Sequence, residues 1–366
     1  MTADGPNHLP LEDLHVQAGT RFGAFAGWSM PLTYPLGVLK EHLWTRAHAG
    51  LFDISHMRLF ELNGPAVAEM LDRACPMVAE TLPVGRSKYT FFLAPNAGIL
   101  DDLIVTRLGP ERFMVVANAG NAAADEAHLR ALAGEFGARV EPLDRVFLAL
   151  QGPEAEGALN AAFPGDLPAS FMTGLEPRPG WFMTRSGYTG EDGFEIALPE
   201  EDARTLVSKL LTDERVSWIG LAARDSLRLE AGLCLHGQDI TPATDPASAG
   251  LMWAILRPAR ERGRFIGAEA LAAIAANGPS RRRVGLRPEG RQPVRAGAAL
   301  FDASGTPVGT VTSGGFGPSV EHPVAMGAVA APLAQPGAAL FAEVRGSRVP
   351  VSVHPLPFTP HRFRKG

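Results

Sequence analysis

Two adjacent aspartates, Asp101 and Asp102, interrupt an otherwise apolar segment at residues 99–105. The segment is typical of a strand, and successive strand side chains point to opposite faces. One carboxylate can therefore reach solvent while the other enters an apolar region or a cavity, where it needs a partner or its pKa rises. The pair is a candidate general base or ligand-orienting group. A strand-edge acid bonded to backbone amides explains the pattern equally well, and periodicity does not say which acid faces inward.

A glycine-rich turn precedes a second candidate acid, Glu195. Residues 185–196 contain Gly187, Gly190 and Gly193, which indicate a tight and exposed turn. Glu195 follows in an alternating strand, and a glutamate can accept two N–H bonds from a planar amidine-like edge, such as that of a pterin or a guanine. A solvent-facing strand glutamate is an equally good interpretation of this stretch.

Two arginines one helical turn apart, Arg224 and Arg228, form the third candidate group. They share a partly apolar helix face with Leu221. Arginines in such a place more often pair with acids inside the protein. The functional alternative is recognition of a carboxylate, a carbonyl or a ring nitrogen on a ligand.

The histidines and cysteines do not have the spacing of a metal site. His42, His48 and His56 form neither an HxxxH nor an HExxH pattern, and Cys75 and Cys234 are not part of a CxxC pair. We therefore expect no bound metal, and two reduced thiols rather than a disulfide.

Composition restricts the class of protein. The 366 residues suggest two or three domains, and 46% hydrophobic with 20% charged residues is ordinary for a globular protein. A net charge of −5 gives no basic surface for nucleic acid, and no apolar run approaches the roughly 20 residues that span a bilayer. The first residues resemble neither a secretory signal nor a mitochondrial presequence. We expect a bacterial cytoplasmic enzyme, with a processed mitochondrial matrix protein as the alternative.

The elements that must position these residues can be predicted from periodicity. Strands are predicted at residues 57–62, 89–93, 99–107, 113–118, 146–150, 182–185 and 193–198, and helices at 11–18, 38–47, 65–74, 122–136, 221–231 and 268–276. Residues 24–31, with Gly27 and Pro31, are predicted to be a loop. After about residue 277 helical periodicity gives way to short alternating runs, which is typical of a β barrel or sandwich.

Taken together, these segments resemble the glycine cleavage T-protein family. The resemblance covers residues 9–360 and follows the family's order. It is carried by the blocks at 25–31 (FAGWSMP), 51–57 (LFDISHM), 98–105, 115–120, 187–196, 221–239 and 309–313. It implies an α+β fold of three domains in a cloverleaf-like arrangement with a C-terminal β barrel. The implied division is 1–53 with 146–165 and 217–276, then 54–145 with 166–216, and finally 277–366.

The resemblance also implies the reaction. A lipoyl arm on the partner H-protein carries an aminomethyl group, and tetrahydrofolate accepts its methylene carbon. The products are 5,10-methylenetetrahydrofolate, ammonia and the dihydrolipoyl arm. The protein would hold two nitrogens near one carbon and manage protons, which needs orientation and one carboxylate.

Family positions can be transferred to this chain residue by residue. Asp102 matches the catalytic acid, Glu195 the acceptor for the pterin edge and Arg224 the pterin-binding arginine, with Tyr188 and Asn118 nearby. Positions that line the folate channel match Met57, Tyr89, Val116 and Trp253, and Arg283 is a candidate for the glutamate tail of folate. Phe363 stands where eukaryotic members have a tyrosine, which removes a hydroxyl bond that Arg362 could replace. His236 stands where a tyrosine is common.

Three alternatives share parts of this pattern. A folate-dependent demethylase acting on a sulfonium, amine or ether would have the same fold and folate site. A non-catalytic folate-binding paralogue tends to lose the paired acids, which are intact here as Asp101 and Asp102. The folate half of a flavin-dependent amine oxidase would need a dinucleotide-binding domain, for which the sequence has no motif.

Overall fold

A computed structural model describes residues 5–366. Helices α1 to α9 follow one another along this range as Glu12–Gln17, Val38–Ala47, Val67–Ala74, Ala122–Phe136, Ala155–Ala162, Glu200–Leu210, Leu221–Glu230, Arg257–Arg262 and Ala268–Asn277. No helix in this range is both long and apolar enough to cross a bilayer.

Nineteen strands occur within residues 5–366 and form four sheets. The first ten, β1 to β10, are Arg21–Phe25, Trp28–Thr33, Ala49–Asp53, Arg58–Asn63, Ser87–Leu93, Ile99–Gly109, Arg112–Ala117, Arg139–Leu143, Val146–Gln151 and Thr173–Leu175. The remaining nine, β11 to β19, are Phe182–Arg185, Gly193–Leu198, Val216–Trp218, Arg281–Pro288, Ala299–Phe301, Pro307–Gly317, His322–Ala330, Ala339–Val344 and Ser347–His354.

A five-stranded sheet carries the two aspartates. Its strand order is β5-β6-β7-β4-β8, and β5 pairs antiparallel with β6 across the turn at residues 94–98. Helices α3 and α4 cover one face, where Phe60, Phe92 and Phe113 form a buried core. The predicted hairpin at residues 89–107 is confirmed, because the alternating strands and the turn chemistry point to the same register.

A six-stranded sheet carries Glu195. Its order is β10-β11-β12-β9-β3-β13, and helices α1, α5 and α6 pack on one face. The other face meets the five-stranded sheet and helix α7 in a second apolar core that includes Phe52, Leu59, Met114, Phe147 and Leu227. This shared core holds Asp102, Glu195 and Arg224 on elements that pack directly on one another.

The C-terminal part is a closed six-stranded barrel in the order β14-β17-β16-β15-β18-β19. Its interior is filled by Val, Leu and Ala side chains such as Leu286, Val311 and Leu340. The predicted α+β class with a C-terminal β barrel is therefore confirmed. In β18 and β19 buried positions alternate with more exposed ones, so that Leu340 and Val351 face the interior.

Residues 24–31 are not the loop that Gly27 and Pro31 predict. They lie in an antiparallel hairpin of β1 and β2, which is closed at Ala26 and Gly27. Both turn residues have positive φ angles, of 48° and 82°. This is the backbone that a two-residue hairpin turn needs, so the glycine marks a turn between strands.

The division of the first two domains differs from the sheet pairing. The resemblance implies that residues 166–216 belong to the second domain, yet β12 pairs with β9 over six positions and α6 packs in the same core. Strands β10, β11 and β12 thus extend the sheet of β3 and β9. Sequence order cannot show this pairing, because strand neighbours in a mixed sheet are chosen by tertiary packing. Periodicity also missed α5, α6 and β3, and all five residues of β3 are buried, so no alternation marks that strand.

Candidate active site

A cavity of about 1500 Å³ lies where the five- and six-stranded sheets, helix α7, the β1–β2 hairpin and the barrel meet. It is large enough for a drug-sized ligand with room to spare, since most such pockets are smaller. Every residue to which the family pattern assigned a site position lines this cavity: Met57, Tyr89, Asp102, Val116, Asn118, Tyr188, Glu195, Arg224, Trp253, Arg283 and Phe363. Their individual roles stay predictions.

Asp102 faces the cavity from β6, opposite Phe91 of β5. The Tyr89 hydroxyl donates to Asp102 Oδ2 at 2.8 Å, and the Asn118 side-chain amide donates to Oδ1 at 3.0 Å. Burial, and then the neighbouring charge of Asp101, raises the pKa of Asp102 to about 6. A carboxylate with a pKa near neutrality can exchange a proton with a ligand at working pH.

Asp101 lies on the opposite face of the same strand and is fully buried. It accepts bonds from the Asn118 backbone N–H at 3.1 Å, the Asn118 side-chain amide at 2.8 Å and the Asn121 side-chain amide at 2.6 Å. Strand alternation thus separates the pair as predicted. The structure decides what periodicity left open, because Asp102 lines the cavity whereas Asp101 is buried behind it.

Glu195 reaches the cavity from β12. The Ser186 hydroxyl donates to its Oε2 at 2.5 Å. Ser186 belongs to the glycine-rich turn, in which a Cβ on Gly187 would lie 1.7 Å from Gln151 Oε1. A side chain at position 187 would displace the buried Gln151 amide, which is bonded to the Ser186 carbonyl and the Thr189 hydroxyl, so glycine fits this position. Glu195 Oε1 makes no hydrogen bond within residues 5–366 and can accept one from a ligand.

Arg224 enters the cavity from helix α7. Its guanidinium lies over the Tyr188 ring, 4.9 Å from the centroid, and the side chain is buried. Its Nη1 has no hydrogen-bond partner within residues 5–366, and burial lowers the pKa of the group. A buried donor without a partner is costly, so an arginine in this state is suited to a ligand that accepts its bonds.

The cavity opens beside Trp253, which is 66% exposed. Trp253 stacks on Tyr89 with centroids 5.7 Å apart and ring planes at 16°. Leu256 is also exposed at this edge. The site thus combines a deep polar end at Glu195 and Arg224, a carboxylate at Asp102 and an aromatic mouth that can hold a flat ligand group.

Comparison with known proteins identifies this arrangement. Residues 11–257 match the model of the GCVT N-terminal domain, and residues 281–359 match the glycine cleavage T-protein C-terminal barrel domain. The chain belongs to the glycine cleavage T-protein family.

Individual relatives are similar to this chain over nearly its whole length. The mitochondrial aminomethyltransferase of Gallus gallus is 40% identical, covering 98% of this chain and 94% of that protein. The aminomethyltransferase of Saccharopolyspora erythraea is 39% identical, covering 96% and 98%. The crystal structure of glycine cleavage system aminomethyltransferase T from Bartonella henselae is 59% identical, with a TM-score of 0.96 over 98% of this chain and 99% of that one.

The predicted activity is confirmed at the level of the family. The chain is an aminomethyltransferase of the glycine cleavage system, and hence a transferase. Its relatives include bacterial and mitochondrial proteins. Within residues 5–366, no three His, Cys, Asp or Glu side chains are grouped as metal ligands would be.

Arg228 differs from Arg224, although the two share a helix face. Its guanidinium donates to Asp239 at 2.6 Å, Asp225 at 2.8 Å and Ser313 at 2.9 Å. Because Ser313 lies on β16, Arg228 joins helix α7 to the barrel. The structural interpretation of the arginine pair therefore holds for Arg228, whereas Arg224 has a free donor in the cavity.

Replacing Arg228 with alanine should destabilise the protein by about 3–5 kcal/mol, because buried Asp239 would lose its cation. Urea unfolding followed by circular dichroism measures the difference. Arg287→Ala, at an exposed barrel position, is the matched control and should change stability by less than about 0.5 kcal/mol. An equal, small effect of both substitutions would contradict the assigned role of Arg228.

Arg362 and Arg283 make contacts that differ from what the family resemblance implies. Arg362 does not line the cavity, because it donates to Glu191 at 2.6 Å and to the Arg46 carbonyl at 2.9 Å. It therefore does not replace the hydroxyl lost at Phe363, which stacks on Phe171 with centroids 3.9 Å apart. Arg283 donates to the carbonyls of Ala249 and Gly232. Much of its hydrogen-bonding capacity thus holds the barrel to the neighbouring segment.

Sequence reasoning missed several residues of the site. His56 lines the cavity, and its Nδ1 has no partner within residues 5–366. Burial and the Arg224 charge lower its pKa to about 3, so the imidazole is neutral. Asn121 donates to Asp101 and to His236 Nδ1 at 2.9 Å. Its position three residues after Asn118, just before helix α4, is a signal that could have found it.

Proposed function

We propose that this chain transfers the methylene carbon from the aminomethyl-lipoyl arm of H-protein to tetrahydrofolate. The carbon–nitrogen and carbon–sulfur bonds of the aminomethyl group break, and two bonds form to N5 and N10 of the folate. The two protons that leave these nitrogens go to the amine and the thiolate. Ammonia, the dihydrolipoyl arm and 5,10-methylenetetrahydrofolate result, and no net oxidation occurs.

The observation that carries this proposal is the position of Asp102. It is a carboxylate with a raised pKa in the wall of a cavity large enough for two reactants. The bonds from Tyr89 and Asn118 hold its two oxygens in a fixed plane. We infer that Asp102 accepts or holds a proton near N10 and N5 and orients the attack on the methylene carbon.

The deep end of the cavity fits a pterin ring. Glu195 has a free carboxylate oxygen for an amidine-like edge, and Arg224 Nη1 is a donor without a protein partner. A flat ring bound there would satisfy both groups, which removes the cost of leaving them unpaired. Tyr188, Met57 and Val116 supply apolar and aromatic walls. Trp253 and Tyr89 are placed to stack on the remainder of the folate, with Arg283 near its tail.

We further propose that the protein works in a reducing compartment such as the bacterial cytoplasm. Both cysteines, Cys75 and Cys234, are free and buried, which supports this location. A mitochondrial matrix form is the alternative, since some relatives are mitochondrial. Neither nucleic acid nor a membrane is proposed as a partner.

Ammonia release from aminomethyl-loaded H-protein tests the reaction. We expect strong acceleration by this protein when tetrahydrofolate is present and little without it, because the folate nitrogens are the acceptors. Unloaded H-protein is the control for background ammonia. Tight folate binding without acceleration would instead favour a folate-dependent demethylase or a non-catalytic folate-binding protein.

A further inference from the structure

A third acid, Asp125, lies behind the two aspartates of β6. It sits in the first turn of helix α4 and is buried, and its carboxyl lies close enough to that of Asp101 to share a proton with it. Its Oδ2 has no hydrogen-bond partner within residues 5–366. Two carboxyl groups in such contact away from water cannot both be ionised, because neither solvent nor a cation offsets their repulsion.

The hydrogen bonds decide which of the two acids keeps the proton. Asp101 accepts three N–H bonds from Asn118 and Asn121, and such a set of donors favours the ionised form. Asp125 accepts no N–H bond at its unpaired oxygen. The proton between the two acids therefore belongs on Asp125, which can donate it in a hydrogen bond to Asp101.

No other charged group that faces Asp125 would stabilise its ionised form. The titratable groups that face it are Asp101 and Asp102 from β6, Cys75 at the end of α3 and His128 one turn further along α4. Burial lowers the pKa of His128 and raises that of Cys75, so both are neutral near pH 7. Burial, and then the charge and the hydrogen bond of Asp101, raises the pKa of Asp125 to about 9.

His236 lies beside Asp101, with its Nδ1 4.0 Å from Asp101 Oδ1. Its Nδ1 lies 2.9 Å from the side-chain nitrogen of Asn121, and its Nε2 lies 3.2 Å from the carbonyl oxygen of Ile99. The imidazole is thus held in place by partners other than the two acids.

We propose that Asp125 is a positioning residue whose carboxyl is protonated and donates to Asp101, which in turn holds the Asn118 amide against Asp102. The chain of contacts is continuous. Asp101 receives the Asn118 amide at 2.8 Å, and the same amide donates to Asp102 Oδ1 at 3.0 Å. Asp125 thus holds Asp101 in place without touching a reactant. The effect on turnover rests on the proposed role of Asp102.

Asp125→Asn and Asp125→Ala test the proposal together. The asparagine side chain is neutral and can donate to Asp101, as a protonated Asp125 would. Turnover should therefore stay within about twofold, and the fall in turnover at low pH (the acidic limb of the pH profile) should keep its midpoint. Alanine removes the donor, and turnover should fall roughly ten- to a hundredfold as Asp102 loses its fixed orientation. A shift of the acidic limb to lower pH in Asp125→Asn would show that a negative charge had been removed, and would overturn the proposal.

Thermal unfolding across pH gives a readout that does not depend on activity. A buried acid whose folded pKa is raised stabilises the fold below its unfolded pKa of about 4, and this contribution is lost as pH rises through about 9. Asp125→Asn should therefore melt at a higher temperature than the natural protein, with a gap that widens from about pH 6 to 9. An unchanged gap would overturn the protonation of Asp125, whereas absent turnover in the natural protein would overturn the proposed function instead.

Discussion

Asp102→Asn should lower turnover by roughly a hundred- to ten-thousandfold while folate affinity changes little. An amide matches the carboxylate in shape and can still bond to Tyr89 and Asn118, so the cavity wall is preserved. It cannot accept a proton, and this is the function proposed for Asp102. Ammonia release under saturating substrates gives the turnover, and calorimetric titration with tetrahydrofolate gives the affinity.

The pH dependence of the natural protein provides an internal check. Because the pKa of Asp102 is raised to about 6, turnover should fall as pH drops through that value and the carboxylate becomes protonated. Asp102→Asn should lack this limb. Asp144→Asn, at an exposed position, is the matched control and should behave like the natural protein. Near-normal turnover in Asp102→Asn would contradict the proton-accepting role proposed for Asp102.

Arg224→Ala and Glu195→Ala should each weaken tetrahydrofolate binding about ten- to a hundredfold. Each substitution removes a hydrogen bond in which one partner is charged, and such bonds contribute about 1.5–3 kcal/mol. Glu195 also holds the Ser186 hydroxyl, whereas Arg224 Nη1 has no protein partner to lose. We therefore expect Arg224→Ala to weaken tetrahydrofolate binding more than it lowers the free energy of unfolding. Calorimetric titration with tetrahydrofolate measures the affinity, and urea unfolding measures the stability.

Conservative variants separate shape from charge at these two positions. Arg224→Lys keeps the charge but not the planar fork, and should bind folate more weakly than the natural protein. Glu195→Gln keeps the shape and should recover only part of the affinity lost in Glu195→Ala. Arg287→Ala is again the remote control. Unchanged affinity in both alanine variants would show that the pterin lies elsewhere in the cavity.

The sequence alone determined the elements that depend on local information. Helix α4 and strands β11 and β12 have the predicted bounds, since periodicity and turn residues agree there. The opposite orientation of Asp101 and Asp102 also follows from strand alternation. The barrel could be predicted from the loss of helical periodicity after residue 277. The ordered series of family blocks led to the family and to the residues that line the cavity.

Only the tertiary structure decided the roles of individual side chains and the strand order, because both depend on contacts between distant segments. Arg224 and Arg228 look alike on one helix face, and they differ because Asp239 and Ser313 meet Arg228 alone. The sheet that contains β10 to β12 is likewise set by pairing with β9. Asp125 could not be recognised from spacing, since a helix acid acquires a raised pKa only when folding buries it against Asp101.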